Sequence, residues 1–215
     1  MKAFKKIIII AIMGLGLSLA SHSAKAQLFW IGVNGGANMS WFNTPGIDNA
    51  LVSVGGGWNL GFFMRYGKKP FYQIDFRWIR ANNFLSYTVD YNLEELDTSF
   101  SVTYEGDVPF HQFEIPIRVG YPIIYTPIFK WHVNGGPFIS TTFMFSSNIF
   151  EIERNDMRNP QIGFMAGTGI QFMNFIIDID YSYHLTELFK GDEEDLGVDF
   201  KAHLQLVSLK VGFQF

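Results

Sequence analysis

The chain has 215 residues, 17% of them aromatic, with 16 basic and 20 acidic side chains and no cysteine. A net charge of −4 disfavours a nucleic-acid partner, and the lack of thiols excludes disulfide scaffolds, thiolate zinc sites and a cysteine-borne lipid anchor. Stability must come from the fold itself, and 23 Phe, 9 Tyr and 5 Trp need somewhere to go.

The first segment reads as a secretory signal. Met1 to Lys6 carries three lysines, Ile7 to Ala20 is a short apolar run, and Ala24 and Ala26 supply the small-x-small pattern of a signal-peptidase site. The apolar run is shorter than the about 20 residues of a spanning helix. We therefore expect residues 1–26 to be removed and residues 27–215 to form one domain. Loss of Lys2, Lys5, Lys6 and Lys25 leaves 12 basic against 20 acidic residues, a charge of −8.

From there the hydropathy alternates with a period of two, the signature of strands with one apolar face. Strand one, residues 31–41, sets Ile31, Val33, Ala37, Met39 and Trp41 against Asn34, Asn38 and Ser40. Strand two, about 57–66, opposes Trp58, Leu60, Phe62, Met64 and Tyr66 to Asn59, Gly61, Phe63 and Arg65. Strand three, about 71–80, opposes Tyr72, Ile74, Phe76 and Trp78 to Gln73, Asp75 and Arg77. Strand four, about 110–121, has Phe113, Ile115, Ile117, Val119 and Tyr121 opposite Gln112, Glu114, Pro116, Arg118 and Gly120. Strand five, about 129–145, has Phe129, Trp131, Val133, Ile139, Phe143 and Phe145 opposite Lys130, His132, Asn134, Ser140 and Thr142. Strand six, about 161–172, is glycine-rich with Phe164, Ala166, Ile170 and Phe172 on its apolar side. Strand seven, about 175–185, sets Ile177, Ile179, Tyr181, Tyr183 and Leu185 against Asp178, Asp180, Ser182 and His184. Strand eight, residues 204–215, sets Val207, Leu209, Val211, Phe213 and Phe215 against Ser208, Lys210, Gly212 and Gln214.

Eight is an even number, and each run is about as long as the ~9 to 11 residues of a tilted strand crossing a bilayer. Three connections are short, at 67–70, 122–128 and 173–174; the other four, roughly 42–56, 81–109, 146–160 and 186–202, are long. Fifteen of the 20 acidic residues lie in the last three long connections, from Asp90 to Asp107, Glu151 to Asp156 and Glu187 to Asp199. Short turns inside and long loops outside are the asymmetry of an outer-membrane barrel. The polar faces carry too many charges for the dry core of a soluble sandwich or lipocalin-like barrel. We expect an all-β, eight-stranded antiparallel up-and-down transmembrane β-barrel in a Gram-negative outer membrane, monomeric, with both termini periplasmic.

"GVNGGANMS", "FEIPIRVGY", "VNGGPFIS", "GFMAGTGIQF", "DIDYSYHLTEL" and "VSLKVGFQF" resemble the successive strands of the outer-membrane β-barrel domain family labelled PorT-like, over nearly the whole mature chain. The resemblance implies an eight-stranded outer-membrane barrel in a family that includes a member tied to protein secretion and gliding. It also implies that the terminal strand, with Val211, Phe213 and Phe215, is an assembly signal read by the barrel-insertion machinery. The chain departs from the family pattern at His184, where a glycine commonly follows the Tyr-Ser-Tyr of strand seven.

The candidate functional set is a lumen charge network of Arg65, Asp75, Arg77, Glu114, Arg118, Lys130, Asp178, Asp180 and Lys210. An eight-stranded barrel is just wide enough for side chains to fill, so near-balanced charge points to paired groups plugging the interior rather than an ion path. His184, Thr186 and Glu187 are similar in type to the catalytic groups of outer-membrane lipid A deacylases, where an imidazole would activate a hydroxyl oriented by a carboxylate. Parity, however, turns His184 and Thr186 toward the lumen and away from lipid. The acidic run Lys190 to Asp199 lacks the D-x-D-x-D-G spacing of a calcium loop and reads as a solvated exterior loop. Phe29, Trp30, Trp41 and Phe42 around strand one, and Phe175, Tyr181 and Tyr183 along strand seven, read as interfacial girdles. Pro116, lacking an amide donor, predicts interrupted pairing beside Glu114.

The expected function is therefore non-enzymatic, in envelope structure, surface contact or as accessory to a secretion system. The alternative is a lipid-modifying enzyme. No catalytic residue, cofactor or metal is assigned. The expected partners are outer-membrane lipid and lipopolysaccharide, the insertion machinery and a component of a secretion machine.

Overall fold

The computed structural model describes residues 28–43, 51–93, 98–145, 158–187 and 203–215. The signal segment and the acidic run 190–199 lie outside the described residues. Eight strands follow one another: β1 Phe29–Asn43, β2 Leu51–Gly67, β3 Phe71–Leu93, β4 Thr98–Tyr125, β5 Phe129–Phe145, β6 Gln161–Phe172, β7 Phe175–His184 and β8 His203–Gln214. Each pairs antiparallel with its sequence neighbours. β1 also pairs with β8, from Gly32↔Gln214 to Asn43↔His203, so the sheet closes into a barrel and the wall has no free edge.

The two-residue period sorts the side chains by face. Val33, Leu60, Phe62, Ile117, Val119, Ile179, Leu209 and Val211 are exposed on the outside, while Arg65, Asp75, Arg77, Glu114, Arg118, Asp180 and Lys210 are buried inside. Such a surface would be inside-out for a protein in water. In a bilayer it is the stable arrangement, because the lipid-facing band is apolar and the closed sheet pairs the wall backbone with little interruption.

The short turns, the start of β1 and the end of β8 share one end of the barrel and are knitted together there. The Gly67 amide donates to the Leu28 carbonyl at 2.7 Å, Met173 to Ile128 at 2.7 Å, Gln214 to Asn174 at 2.9 Å and Phe215 to Ile31 at 2.8 Å. In outer-membrane barrels this end faces the periplasm. Tyr66, Tyr72, Tyr121, Phe172, Phe175 and Phe215 ring it on the outside. Val211 and Phe215 are exposed on this outer face, where Phe213 packs edge-to-face on Phe175 and Phe215 at 5.1 and 5.2 Å.

The structure corrects three expectations. Residues 81–109 are mostly not a loop: β3 and β4 continue as a hairpin, paired from Ala81↔Phe110 to Leu93↔Thr98. Tyr87, Val89 and Tyr91 alternating with Thr88, Asp90 and Asn92 is itself a strand pattern, masked on reading by the acid that accompanies it. Phe42 is 3% exposed inside the lumen and Trp30 sits at the lumen mouth, because both fall on the inner phase of β1, opposite to Ile31 and Val33. Neither therefore belongs to the lipid-facing girdle.

Pairing is interrupted at Pro116. Between Ile74↔Ile117 and Arg77↔Glu114, Asp75 and Phe76 have no partner on β4, and the register resumes without a shift. The missing proline amide breaks the ladder there, next to the two carboxylates at the centre of the lumen.

Candidate functional site

Eight of the nine expected lumen charges lie buried inside the barrel, drawn from five strands. Arg118 of β4 grips Asp75 of β3 with a two-pronged fork, Nε to Oδ2 at 2.9 Å and Nη2 to Oδ1 at 2.8 Å. Its remaining nitrogen donates to Asn134 of β5 at 3.1 Å and to Asp180 of β7 at 3.3 Å. Arg77 is ion-paired with Glu114 and reaches Asp180 at 3.4 Å, and the Lys210 ammonium of β8 is also ion-paired with Asp180. Asp180 thus meets three cations from three strands. Asp178 accepts from His132 Nε2 at 3.1 Å. Among the described residues Arg65 makes no ion pair: it donates to the amide oxygens of Gln73 at 2.7 Å and Gln171 at 3.3 Å, and Gln73 in turn donates to Asp75 at 2.9 Å.

Inside the lumen, Arg65, Arg77, Arg118 and Lys210 balance Asp75, Glu114, Asp178 and Asp180. Balance matters here because the lumen shields each ion from water, and an unpaired one would carry its desolvation cost alone. Lys130 is not brought into this network. It stands at the short-turn mouth with its ammonium 5.8 Å from the ring centre of Trp30 and 5.3 Å from that of Tyr125.

Two local features of sequence make room for the charges. The cross-strand partners of Asp178 and Asp180 are Gly169 and Gly167. A Cβ at either glycine would fall 1.8 Å or 2.2 Å from the facing carboxylate oxygen, so the glycine-rich phase of β6 is the space that the carboxylates fill. Apolar side chains close the lumen on both sides of the charged layer. Phe63, Phe71 and Ile176 lie toward the short-turn end; Ile79, Phe110, Phe138, Met165, Leu204 and Leu206 lie toward the far end. With its interior occupied in this way, the barrel is a packed core with a polar middle.

The His184, Thr186 and Glu187 set does not assemble. His184 is 1% exposed and fully engaged: Nδ1 donates to the Leu204 carbonyl at 3.1 Å, which leaves Nε2 to accept from the Gln112 amide at 2.8 Å. Its ring stands edge-on to Phe138 at 4.8 Å. The Thr186 hydroxyl instead accepts from the Ile162 amide at 3.1 Å, and Glu187 faces Arg158 at 3.6 Å. These three residues therefore do not line up to form a nucleophile.

Sequence reasoning put Gln73, His132 and Asn134 on the polar faces but gave neither them nor Gln171 a part in the network, where they hold the ions in place. All four lie on the inner phase of their strands, and that parity is the signal that could have found them. Being neutral, they drew no attention as charges. Among the described residues no cluster of metal-ligating side chains occurs.

Residues 22–190 match the family model described as outer membrane protein beta-barrel domain. No curated protein matches the chain. Among solved structures the chain is similar to Ail, the attachment invasion locus protein of Yersinia pestis, in complex with the heparin analogue sucrose octasulfate (15% identity, covering 88% of this chain and 100% of that one, TM-score 0.44). It is also similar to neisserial surface protein A (13% identity, 89% and 100% covered, TM-score 0.46) and to OprG from Pseudomonas aeruginosa (16% identity, 86% and 95% covered, TM-score 0.41). The family match spans most of the chain, and the closed eight-stranded wall with its apolar outside agrees with it: the protein belongs to the outer membrane protein beta-barrel domain family and resides in the outer membrane.

Proposed function

We propose that this barrel is a non-enzymatic surface-contact protein of the outer membrane, with a plugged lumen as anchor and the β3–β4 hairpin as the contacting element. The hairpin carries this reading. β2 last pairs with β3 at Leu51↔Ser86 and β5 last pairs with β4 at Phe145↔Phe110. Beyond those points β3 and β4 pair only with each other among the described strands. The two-stranded stretch Tyr87–Leu93 alone spans about 23 Å at ~3.3 Å per residue. Unpaired strand edges of this kind accept a further strand, and the acidic residues of the segment select against acidic partners.

The strand motifs "FEIPIRVGY" and "VSLKVGFQF" support a PorT-like assignment within the family, and with it an accessory role beside a secretion machine. The test is a tagged pull-down from native outer membranes, comparing the intact barrel with one whose residues 87–104 are replaced by a short turn. The trimmed barrel should still fold, seen as a heat-modifiable gel mobility, and should lose the proteins that the intact chain retains. Recovery of the same proteins by both would sink this reading.

A lipid-modifying activity is the competing reading. His184→Ala should leave the acyl pattern of lipid A unchanged by mass spectrometry, since both ring nitrogens already serve as structural links.

A further inference from the structure

The short-turn end of the barrel has an unbalanced charge. Residues 28–33, 63–74, 119–133, 170–177 and 211–215 contain four cations, Arg65, Lys68, Lys69 and Lys130, and no Asp or Glu. Three of these cations line one recess that opens at this mouth, together with Trp30, Tyr125 and Gln214. We propose that this recess is an anion site that takes a single phosphate group from the periplasmic side.

Its floor is Arg65, 5% exposed and, of the three buried arginines among the described residues, the one without a carboxylate partner there. Both oxygens of nearby Asp75 are held by Arg118, and Asp178 is held by His132. The Arg65 Nε and Nη1 donate to glutamine amide oxygens, while Nη2 has no partner among the described residues. Buried charges are ordinarily paired directly, and an entering anion would give this guanidinium the contact that Asp75 and Asp178, though near enough to balance its charge, do not make.

The rim is already arranged for the same ligand. Lys130 is held over Trp30 and Tyr125, which places its ammonium at the opening without neutralising it. Gln214 Oε1 is buried without a donor, so its side-chain amide can turn to present its N–H₂ to a bound oxyanion. The recess itself has room for roughly one or two water molecules and opens at the mouth, so an oxyanion would seat one or two of its oxygens inside and keep the rest of its body at the rim. Such a group could arrive on a phospholipid of the inner leaflet or as free phosphate.

The test is calorimetry at constant ionic strength on the folded barrel in zwitterionic detergent. It is titrated separately with inorganic phosphate, with short-chain phosphatidylglycerol and with short-chain phosphatidylcholine. We expect saturable binding of at least one of the first two, weakened about tenfold by Lys130→Gln and by Arg65→Gln, the loss of one charge-assisted hydrogen bond. Binding of phosphate alone or of both would identify a free-anion site. Binding of phosphatidylglycerol alone would identify a lipid headgroup site. No saturable binding of either, or binding that the variants leave unchanged, would overturn the proposal. If Arg65→Gln fails to show the heat-modifiable mobility of a folded barrel, the rim variants Lys68→Gln and Lys130→Gln decide, since neither side chain supports the interior.

Discussion

Asp180→Ala should lower the stability of the folded barrel by about 3–5 kcal/mol, the loss seen when one partner of a buried ion pair is removed. Among the described residues Asp180 is the one carboxylate in contact with Arg77, Arg118 and Lys210 together, and all four side chains are at most 1% exposed. After the substitution Arg118 keeps Asp75 and Arg77 keeps Glu114, but among the described residues Lys210 keeps no direct ion pair, its cross-strand neighbour Asp178 being held by His132. The readout is the urea midpoint of the barrel in lipid vesicles, followed by heat-modifiable mobility. The double variant Asp180→Ala, Lys210→Met should recover part of the loss, because it removes the stranded ammonium as well. An Asp180→Ala midpoint equal to that of the wild type would show that the network does not hold the barrel together.

The second large effect belongs to the opposite face. Leu209→Arg places a guanidinium on the outside at the middle of β8, beside Ala37 and Ile179. Near the bilayer midplane such a charge costs about 2–4 kcal/mol. The neighbouring residue gives the control: Ser208 is fully buried and its hydroxyl makes no hydrogen bond, so Ser208→Ala should stay within about 1 kcal/mol of the wild type. A soluble barrel would show the reverse, tolerating arginine at an exposed site. The same vesicle assay separates the two cases, and a harmless Leu209→Arg would contradict the assignment of this face to lipid.

The wall was legible because a strand shows its two faces to two solvents, and residues such as Ile177, Asp178, Ile179 and Asp180 record that alternation directly. Strand β6 matches its expected bounds, 161–172, for the same reason. The hairpin was less legible. The alternation of Tyr87, Val89 and Tyr91 with Thr88, Asp90 and Asn92 was there to be read, but the acidic residues scattered from Asp90 to Asp107 turned the segment toward a loop reading. Trp30 and Phe42 were misassigned by type, since aromatic residues suggest an interface, when their odd or even position carried the stronger information.

Which charge meets which was beyond reach. Arg77 and Asp180 are 103 residues apart in sequence, and their meeting depends on how far the strands are staggered around the barrel. The glycines of "AGTGI" were visible as a weak strand. Their use as space for Asp178 and Asp180 needed the partner register.

The charged layer also constrains the order of assembly. Its members come from β2, β3, β4, β7 and β8, and the last strand delivers Lys210 to an aspartate already facing two arginines. A partly rolled sheet entering hydrocarbon would press Arg77, Arg118 and Asp180 against acyl chains, with no water to solvate them. Rolling and insertion must therefore advance together. The ions that lock the finished barrel also bar its half-built forms from the membrane.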